Sequence, residues 1–344
     1  MITPLSNKRL INNTAWSKKH TTDWQAQMRD AVTEPTMLLD LLDIPHALLT
    51  KANQAHALFP LKVPKAYVSR MQKGNINDPL LQQVLPLGTE TDEHPDFTQD
   101  PVADLQHNPV PGIVHKYSGR VLMITTGACA VHCRYCFRRN FPYSEQSAAR
   151  QGWQGALDYI RADKSIHEVI LSGGDPLSLS NNKLDNLFTE LDNITHLKTI
   201  RLHTRQPIVL PDRIDTGFLQ LISRQTKNLV MVLHANHANE IDDTVRAVCE
   251  QLLAQGVTML NQSVLLRNIN DEPETLIELS HALFSCGVLP YYLNLLDQVR
   301  GASHFAVCQT QAKEIHTSMQ KILPGYLVPK LVKDSPTIPY KTWL

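Results

Sequence analysis

The chain has no charge excess of either sign. Its 33 Lys and Arg balance 33 Asp and Glu over 344 residues, for a formal net charge of zero. A dedicated nucleic-acid binder, or a protein that clings to acidic membranes, normally shows a basic surplus, so neither is expected. No apolar run comes near the roughly 18 residues that a membrane helix needs. Low-complexity tracts and sequence-level repeats are absent. The opening segment MITPLSNKRLINNTAWSKKH is polar, without the apolar stretch of a secretory signal, and none is expected. The expected compartment is therefore the cytoplasm, where the six cysteines are thiols or metal ligands rather than disulfides. A content of 42% hydrophobic and 19% charged residues is that of a folded globular protein. The length lies just past the ~250–300 residues at which one core stops growing, which favours one large α/β domain with a smaller appendage.

Residues 1–105 differ from the rest. Trp24–Val32, Thr36–Leu42 and Val63–Gln72 read as short helices, and a proline- and acid-rich stretch from Leu87 to Pro111 reads as a connection. Over residues 106–325 branched apolar runs recur at Val121–Thr125, Glu168–Ser172, Thr199–His203, Leu229–His234, Thr258–Leu265 and Leu289–Leu295. Their starts are mostly about 30 residues apart, the scale of a βαβ unit. Helix-like segments follow each: Trp153–Ala162, Lys183–Leu191, Thr216–Gln225, Glu240–Gln255, Glu274–Cys286 and Gln309–Leu323. Alternation at this period predicts β/α units on a parallel sheet. Six units are too few for a closed eight-unit barrel and suit either a partial barrel or a doubly wound sheet. Both place their chemistry just beyond the C-terminal ends of strands. Residues 326–344 form a C-terminal tail.

Directly after the first predicted strand the chain reads Thr126-Gly-Ala-Cys129-Ala-Val-His132-Cys133-Arg134-Tyr135-Cys136-Phe-Arg138-Arg139, which places three cysteines in a C-x3-C-x2-C array. Packing does not call for three thiols so close together. Cys249, Cys286 and Cys308, by contrast, lie in or beside predicted helices and read as small core hydrophobes. Structural zinc is usually four-coordinate, and no second C-x2-C or His pair is present, although His132 leaves a Cys3His site open. An iron–sulfur cluster takes cysteine thiolates. Three of them on a cubane leave one iron for a substrate or cofactor. Arg134, Arg138 and Arg139 could offset the anionic cluster or bind carboxylate and phosphate. After the second strand, Ser172-Gly173-Gly174-Asp175-Pro176 is turn chemistry in its own right.

The cysteine array, with Tyr135 before the last cysteine, resembles the radical S-adenosylmethionine superfamily. Implied are a partial (β/α)6 barrel, a [4Fe–4S] cluster on Cys129, Cys133 and Cys136, and S-adenosylmethionine chelated by the open iron. Cleavage then yields a 5′-deoxyadenosyl radical. The segment Ser172, Gly173, Gly174 and Asp175 resembles the glycine-rich stretch that approaches the cofactor's amino group. Longer stretches narrow the likeness: Lys116–Arg120, Cys129–Arg139, Ser172–Leu177, His203–Pro207, His234–Glu240, Asn261–Arg267 and Pro290–Phe305. Over roughly residues 105–344 these are similar to lysine 2,3-aminomutases. The N-terminal part resembles the short bacterial subgroup that makes (R)-β-lysine for elongation factor P.

This family resemblance implies pyridoxal 5′-phosphate bound as a Schiff base to a tail lysine. Asp334 and Lys341 match the family's spacing of seven, with Lys330 and Lys333 as the other tail candidates. The glycine-rich run that precedes this lysine in the long members is here Ser-Pro-Thr-Ile-Pro-Tyr. Further implied roles are Lys116, Tyr117 and Arg120 at the pyridoxal ring and phosphate, Arg138 on the substrate carboxylate, and His234 and Gln262 on S-adenosylmethionine. Asp297 and Asp334 receive the distal ammonium of L-lysine. A low-potential flavodoxin or ferredoxin type of reductant and an elongation factor P lysyl ligase are the implied partners. Other readings are a glutamate 2,3-aminomutase, a catabolic enzyme acting on free lysine, and a zinc- or cluster-binding regulatory module without turnover.

Overall fold

The computed structural model describes residues 23–146, 153–335, 338 and 340–344, so the polar opening segment and tail positions 336, 337 and 339 lie outside the described residues. Helix α1 (Trp24–Arg29) starts on Asp23, whose carboxylate accepts from the Gln25 and Ala26 amides and satisfies donors that the first turn leaves unpaired. Helices α2 (Pro35–Leu41) and α3 (Leu49–Leu58) follow. No predicted helix corresponds to α3, which buries little beyond Ala52 and Ala55. The helix expected over Val63–Gln72 contracts to α4 (Lys65–Val68). Val63 precedes Pro64, which disfavours helical backbone. It instead exchanges hydrogen bonds of 2.8 and 2.9 Å with Val32. That bridge also ends the expected Trp24–Val32 helix at Arg29. Helix α5 (Pro79–Gln82) is capped by the Asp78 carboxylate.

The barrel begins with an antiparallel pair, β1 (Ile113–Tyr117) and β2 (Arg120–Thr126). Then come α6 (Tyr143–Gln146), α7 (Gln154–Ala162), β3 (Glu168–Gly173), α8 (Asn181–Asp192), β4 (Thr199–Thr204), α9 (Gln206–Val209) and α10 (Thr216–Ser223). β5 (Asn228–Leu233), α11 (Asp243–Ala254), β6 (Thr258–Val264), α12 (Pro273–Ser285), β7 (Leu289–Asn294) and α13 (Gln309–Ile322) continue the rhythm. The tail adds β8 (Lys330–Lys333) and β9 (Thr342–Trp343). Strands pair in chain order from β1 to β9, parallel from β2 to β8. A doubly wound sheet must reverse its order at a switch point. Here the order never reverses, so the six β/α units form a singly wound partial barrel. Its two sheet edges are joined by the Tyr117 hydroxyl, which donates to Asp334 just beyond β8 at 2.8 Å.

Period-two alternation sorts each strand's side chains. In β4, Ile200 and Leu202 are fully buried in the main apolar core, while Arg201 and His203 lie on the other face and are half-buried. That second face carries polar groups among aliphatic ones such as Leu122, Ile170 and Val230: Arg201 binds Glu168 of β3, and His203 meets His234 beyond β5. The apolar core runs without a break from Trp24, Leu38, Tyr67 and Leu81 to the barrel's Val121, Ile200 and Leu252. Cys249 and Cys286 are buried, as expected. Cys308 is not a core residue: it is exposed, standing at the N-terminus of α13. Among the described residues no helix is long and apolar enough to cross a membrane.

Candidate active site

The cysteine loop leaves β2 and is held from outside by the N-terminal region. The His132 amide donates to the Lys62 carbonyl at 2.9 Å, and the Arg134 amide to the Gln83 carbonyl at 2.9 Å. The Arg134 guanidinium is wholly buried against Glu90, at 2.8 and 2.6 Å, and Arg139 shares the same carboxylate at 2.8 Å. Two of the loop arginines are thus committed to Glu90 of the supposed connection. Removing one partner of a buried pair typically costs ~3–5 kcal/mol, and here one carboxylate serves two guanidiniums. Glu90→Gln is therefore expected to lower the thermal unfolding midpoint and reduce the iron retained after reconstitution. Wild-type melting and wild-type iron would show the triad to be dispensable.

Cys129, Cys133 and Cys136 are free, half-buried thiols. Burial pushes Cys129 well up and Cys136 to about 11, reinforced by the neighbouring thiols. In the bare protein both are protonated, and ligation must displace the protons. The donor set is all sulfur. His132, stacked on Phe59 and bonded through Nδ1 to the Pro60 carbonyl at 2.8 Å, joins no metal-ion site. Among the described residues no three His, Cys, Asp or Glu converge on a single ion. Three cysteine sulfurs on one loop suit an iron–sulfur cluster, which takes cysteine thiolates.

The Gly173–Gly174 turn locks onto this loop. The Gly174 amide donates to Thr126 O at 2.7 Å and the Asp175 amide to Ala128 O at 2.8 Å. A Cβ on Gly174 would lie 2.4 Å from that Ala128 oxygen, and Gly173 has φ +113°, so only glycine fits at both. Asp175, expected at the cofactor, has its carboxylate engaged within the protein. Its carboxylate accepts from Leu177 N, Thr204 Oγ1, Arg205 N and Gln206 N. Those four bonds fill its acceptor capacity and tie the end of β3 to the end of β4.

On the polar face of the barrel two carboxylates organise the cations. Arg138 donates through Nε to Asp104 Oδ2 at 2.9 Å and through Nη1 to Ser172 Oγ at 3.3 Å, and Lys116 Nζ lies 2.6 Å from Asp104 Oδ1. Burial opposes ionisation of Asp104, yet Arg138 and Lys116 outweigh it and hold its carboxyl below the ordinary range. Lys341 Nζ donates to Asp334 Oδ2 at 2.6 Å and Asn294 Oδ1 at 3.1 Å, 5.8 Å from the centre of the Tyr292 ring. Lys330 and Lys333, the other tail candidates, are exposed. Arg120 lies over the Tyr117 ring at 4.6 Å. Burial raises Asp297 to about 7, Lys341 opposing that rise and Asp334 and Asp104 adding to it. His234 and Gln262 meet at 2.9 Å. Burial, with Arg205 and Arg138, lowers His234 to about 3, so it stays neutral.

The sequence reading misses several groups that complete this arrangement. Glu90 and Asp104 come from the stretch taken as a connection, and no local pattern separates them from its other acidic residues. His203 stands out in the sequence only as part of the segment His203–Pro207. Its Nε2 is buried without a hydrogen-bond partner among the described residues. A buried orphan nitrogen is rare in folded proteins, and a ligand in the barrel would satisfy it.

Residues 117–206 match the family model described as a 4Fe-4S single cluster domain. The chain is 47% identical over 321 residues to the L-lysine 2,3-aminomutase of Escherichia coli, covering 93% of this chain and 94% of that one. It is 44% identical over 320 residues to the enzyme of that name from Haemophilus influenzae, covering 93% and 95%. Identity to the L-lysine 2,3-aminomutase of Clostridium subterminale is 31% over 315 residues, covering 91% of this chain but 76% of that one.

Proposed function

The chain belongs to the lysine 2,3-aminomutase family, and on that premise we propose that its product is (R)-β-lysine destined for elongation factor P. The reaction is an isomerisation that moves the α-amino group of L-lysine to the β-carbon. When bound, the [4Fe–4S] cluster with S-adenosylmethionine supplies a radical able to take hydrogen, and pyridoxal phosphate supplies a carbonyl that carries the nitrogen. Cys129, Cys133 and Cys136 hold the cluster. Lys341 is the amine for the pyridoxal carbonyl, and Lys116, Tyr117 and Arg120 serve the pyridoxal ring and phosphate. His234 and Gln262, a neutral hydrogen-bonding pair, face S-adenosylmethionine. Arg138 receives the substrate carboxylate through a guanidinium that Asp104 pre-orients.

The observation that carries the substrate assignment is the placing of Asp297 and Asp334 around Lys341. Asp334 pairs with the Lys341 ammonium. Once Lys341 is engaged elsewhere, that carboxylate is released to receive the distal ammonium of lysine. Glutamate would present a carboxylate to two carboxylates. Coverage supports the short subgroup: the chain spans 94% of the Escherichia coli enzyme but 76% of the clostridial one. A cytoplasmic location, a flavodoxin- or ferredoxin-type reductant and a downstream elongation factor P lysyl ligase complete the proposal.

Anaerobic incubation of reconstituted protein with L-lysine, S-adenosylmethionine, pyridoxal phosphate and a strong reductant, followed by chiral analysis, tests this directly. Faster turnover of glutamate would overturn the substrate. A product that the ligase does not accept, or that has the S configuration, would overturn the destination and favour catabolism. Asp297→Asn is expected to cut kcat/KM for lysine by roughly two to four orders of magnitude, from the ~3–5 kcal/mol cost of an unpaired buried charge. Cluster and pyridoxal content should not change. The raised carboxyl also sets a pH dependence. With its folded value at about 7 against an ordinary ~3.9, Asp297 is protonated below pH 7, and lysine must expel that proton on binding. The KM for lysine should therefore rise as pH falls below 7, by up to ~10-fold per unit for one linked proton. The same raised value favours the substrate-free fold at low pH, a contribution lost as pH rises through about 7. Asp297→Asn should flatten both profiles. A wild-type KM unchanged between pH 7 and pH 6 would contradict the role.

A further inference from the structure

Two of the matching segments are His203–Pro207 and His234–Glu240. They converge on one cluster ligand. Arg205 Nη1 donates to Cys133 Sγ at 2.8 Å and to the Tyr135 hydroxyl at 2.6 Å. Its Nη2 donates to Gln83 Oε1 at 2.6 Å, Glu240 Oε2 at 2.9 Å and Tyr67 Oη at 3.1 Å. The side chain is 5% exposed. Its backbone amide is held by Asp175 at 2.8 Å. Glu240 is fixed in turn by the Asn236 and His237 amides at 2.9 and 3.2 Å. Tyr135 also accepts from Asn236 Nδ2 at 2.7 Å.

Among the described residues this is the one cationic side chain that donates to a cysteine sulfur. Arg205 is itself paired with Glu240, as Arg134 and Arg139 are with Glu90 and Arg138 with Asp104; what sets it apart is its contact with the sulfur. Hydrogen bonds and charge at the sulfurs tune the potential of an iron–sulfur cluster. One-electron reduction adds a negative charge to the cluster, and a fixed, desolvated guanidinium on a ligand sulfur favours that form without reorganising.

We propose that Arg205 is a positioning residue that raises the reduction potential of the cluster through its bond to Cys133. The electron comes from the low-potential one-electron reductant of the flavodoxin or ferredoxin type proposed for the enzyme. This inference rests on the cluster reading, and iron analysis of the wild type separates the two. Wild-type protein that takes up no iron fails that reading rather than this one. The test is a redox titration of reconstituted holoprotein without S-adenosylmethionine, followed by electron paramagnetic resonance and paired with iron and sulfide analysis. Arg205→Gln is expected to make reduction at least ~10-fold less favourable, about 59 mV lower for one electron. Arg205→Lys, which keeps the charge but loses the forked geometry, should shift the same way by less. If the Gln variant does not retain its cluster, the Lys variant decides. Potentials equal to wild type at full iron content would overturn the proposal. Loss of the cluster from both variants would also overturn it, assigning the guanidinium to loop architecture alone.

Discussion

Serine at Cys129, Cys133 or Cys136 abolishes S-adenosylmethionine cleavage and strips iron from the protein, whereas serine at Cys249, Cys286 or Cys308 leaves both intact. The contrast follows from where the thiols sit. The first three share one loop, clamped on one side by Lys62, Gln83 and Glu90 and on the other by the Gly174 turn. Three thiolates are the entire protein ligation of a cubane that keeps one iron open, so no spare ligand replaces a lost one. Serine keeps the size but not the soft sulfur that iron–sulfur chemistry selects. Cys249 and Cys286 pack in the apolar core and Cys308 is exposed, so their loss affects packing at most. Analysis of anaerobically purified protein should give about four irons per chain. Stoichiometric zinc without iron would sink the radical chemistry outright.

Lys341→Arg loses turnover by on the order of 10⁴ or more, the scale on which removal of a covalent catalytic group is felt. Arginine can keep an ion pair with Asp334 but does not deprotonate to form an imine. The variant therefore separates the lysine's covalent role from its electrostatic one. Borohydride reduction of wild-type holoprotein should attach a pyridoxyl group to the peptide containing Lys341, and none should be recovered from the variant. Label on Lys330 or Lys333 would place the attachment on β8 instead. Wild-type turnover by Lys341→Arg would refute a catalytic amine at this position. Asp334→Asn is a less clean probe than Asp297→Asn, because Asp334 also accepts from Tyr117 and Lys341, so its loss should disturb both substrate and lysine.

The chain by itself determined the β/α rhythm. Parallel strands covered by helices must be apolar along their length, and that demand writes Val121–Thr125 or Leu229–His234 plainly into the sequence. It also determined the cysteine loop, whose three thiols lie within one turn-rich segment, and the spacing between Asp334 and Lys341. The strand β1 and the two strands of the tail were not legible, being short pieces with too little alternation to stand out. Only the tertiary structure decided between a partial barrel and a doubly wound sheet, because strand order is a property of pairing and not of any one strand. It alone showed which charges matter. Glu90 is 44 residues from Arg134, Asp104 is 34 from Arg138, and Arg205 is 72 from Cys133. In sequence each resembles an ordinary surface charge. Folding buries them together, and in a low-dielectric interior an ion pair or a sulfur contact acquires the strength that chemistry at the cluster requires.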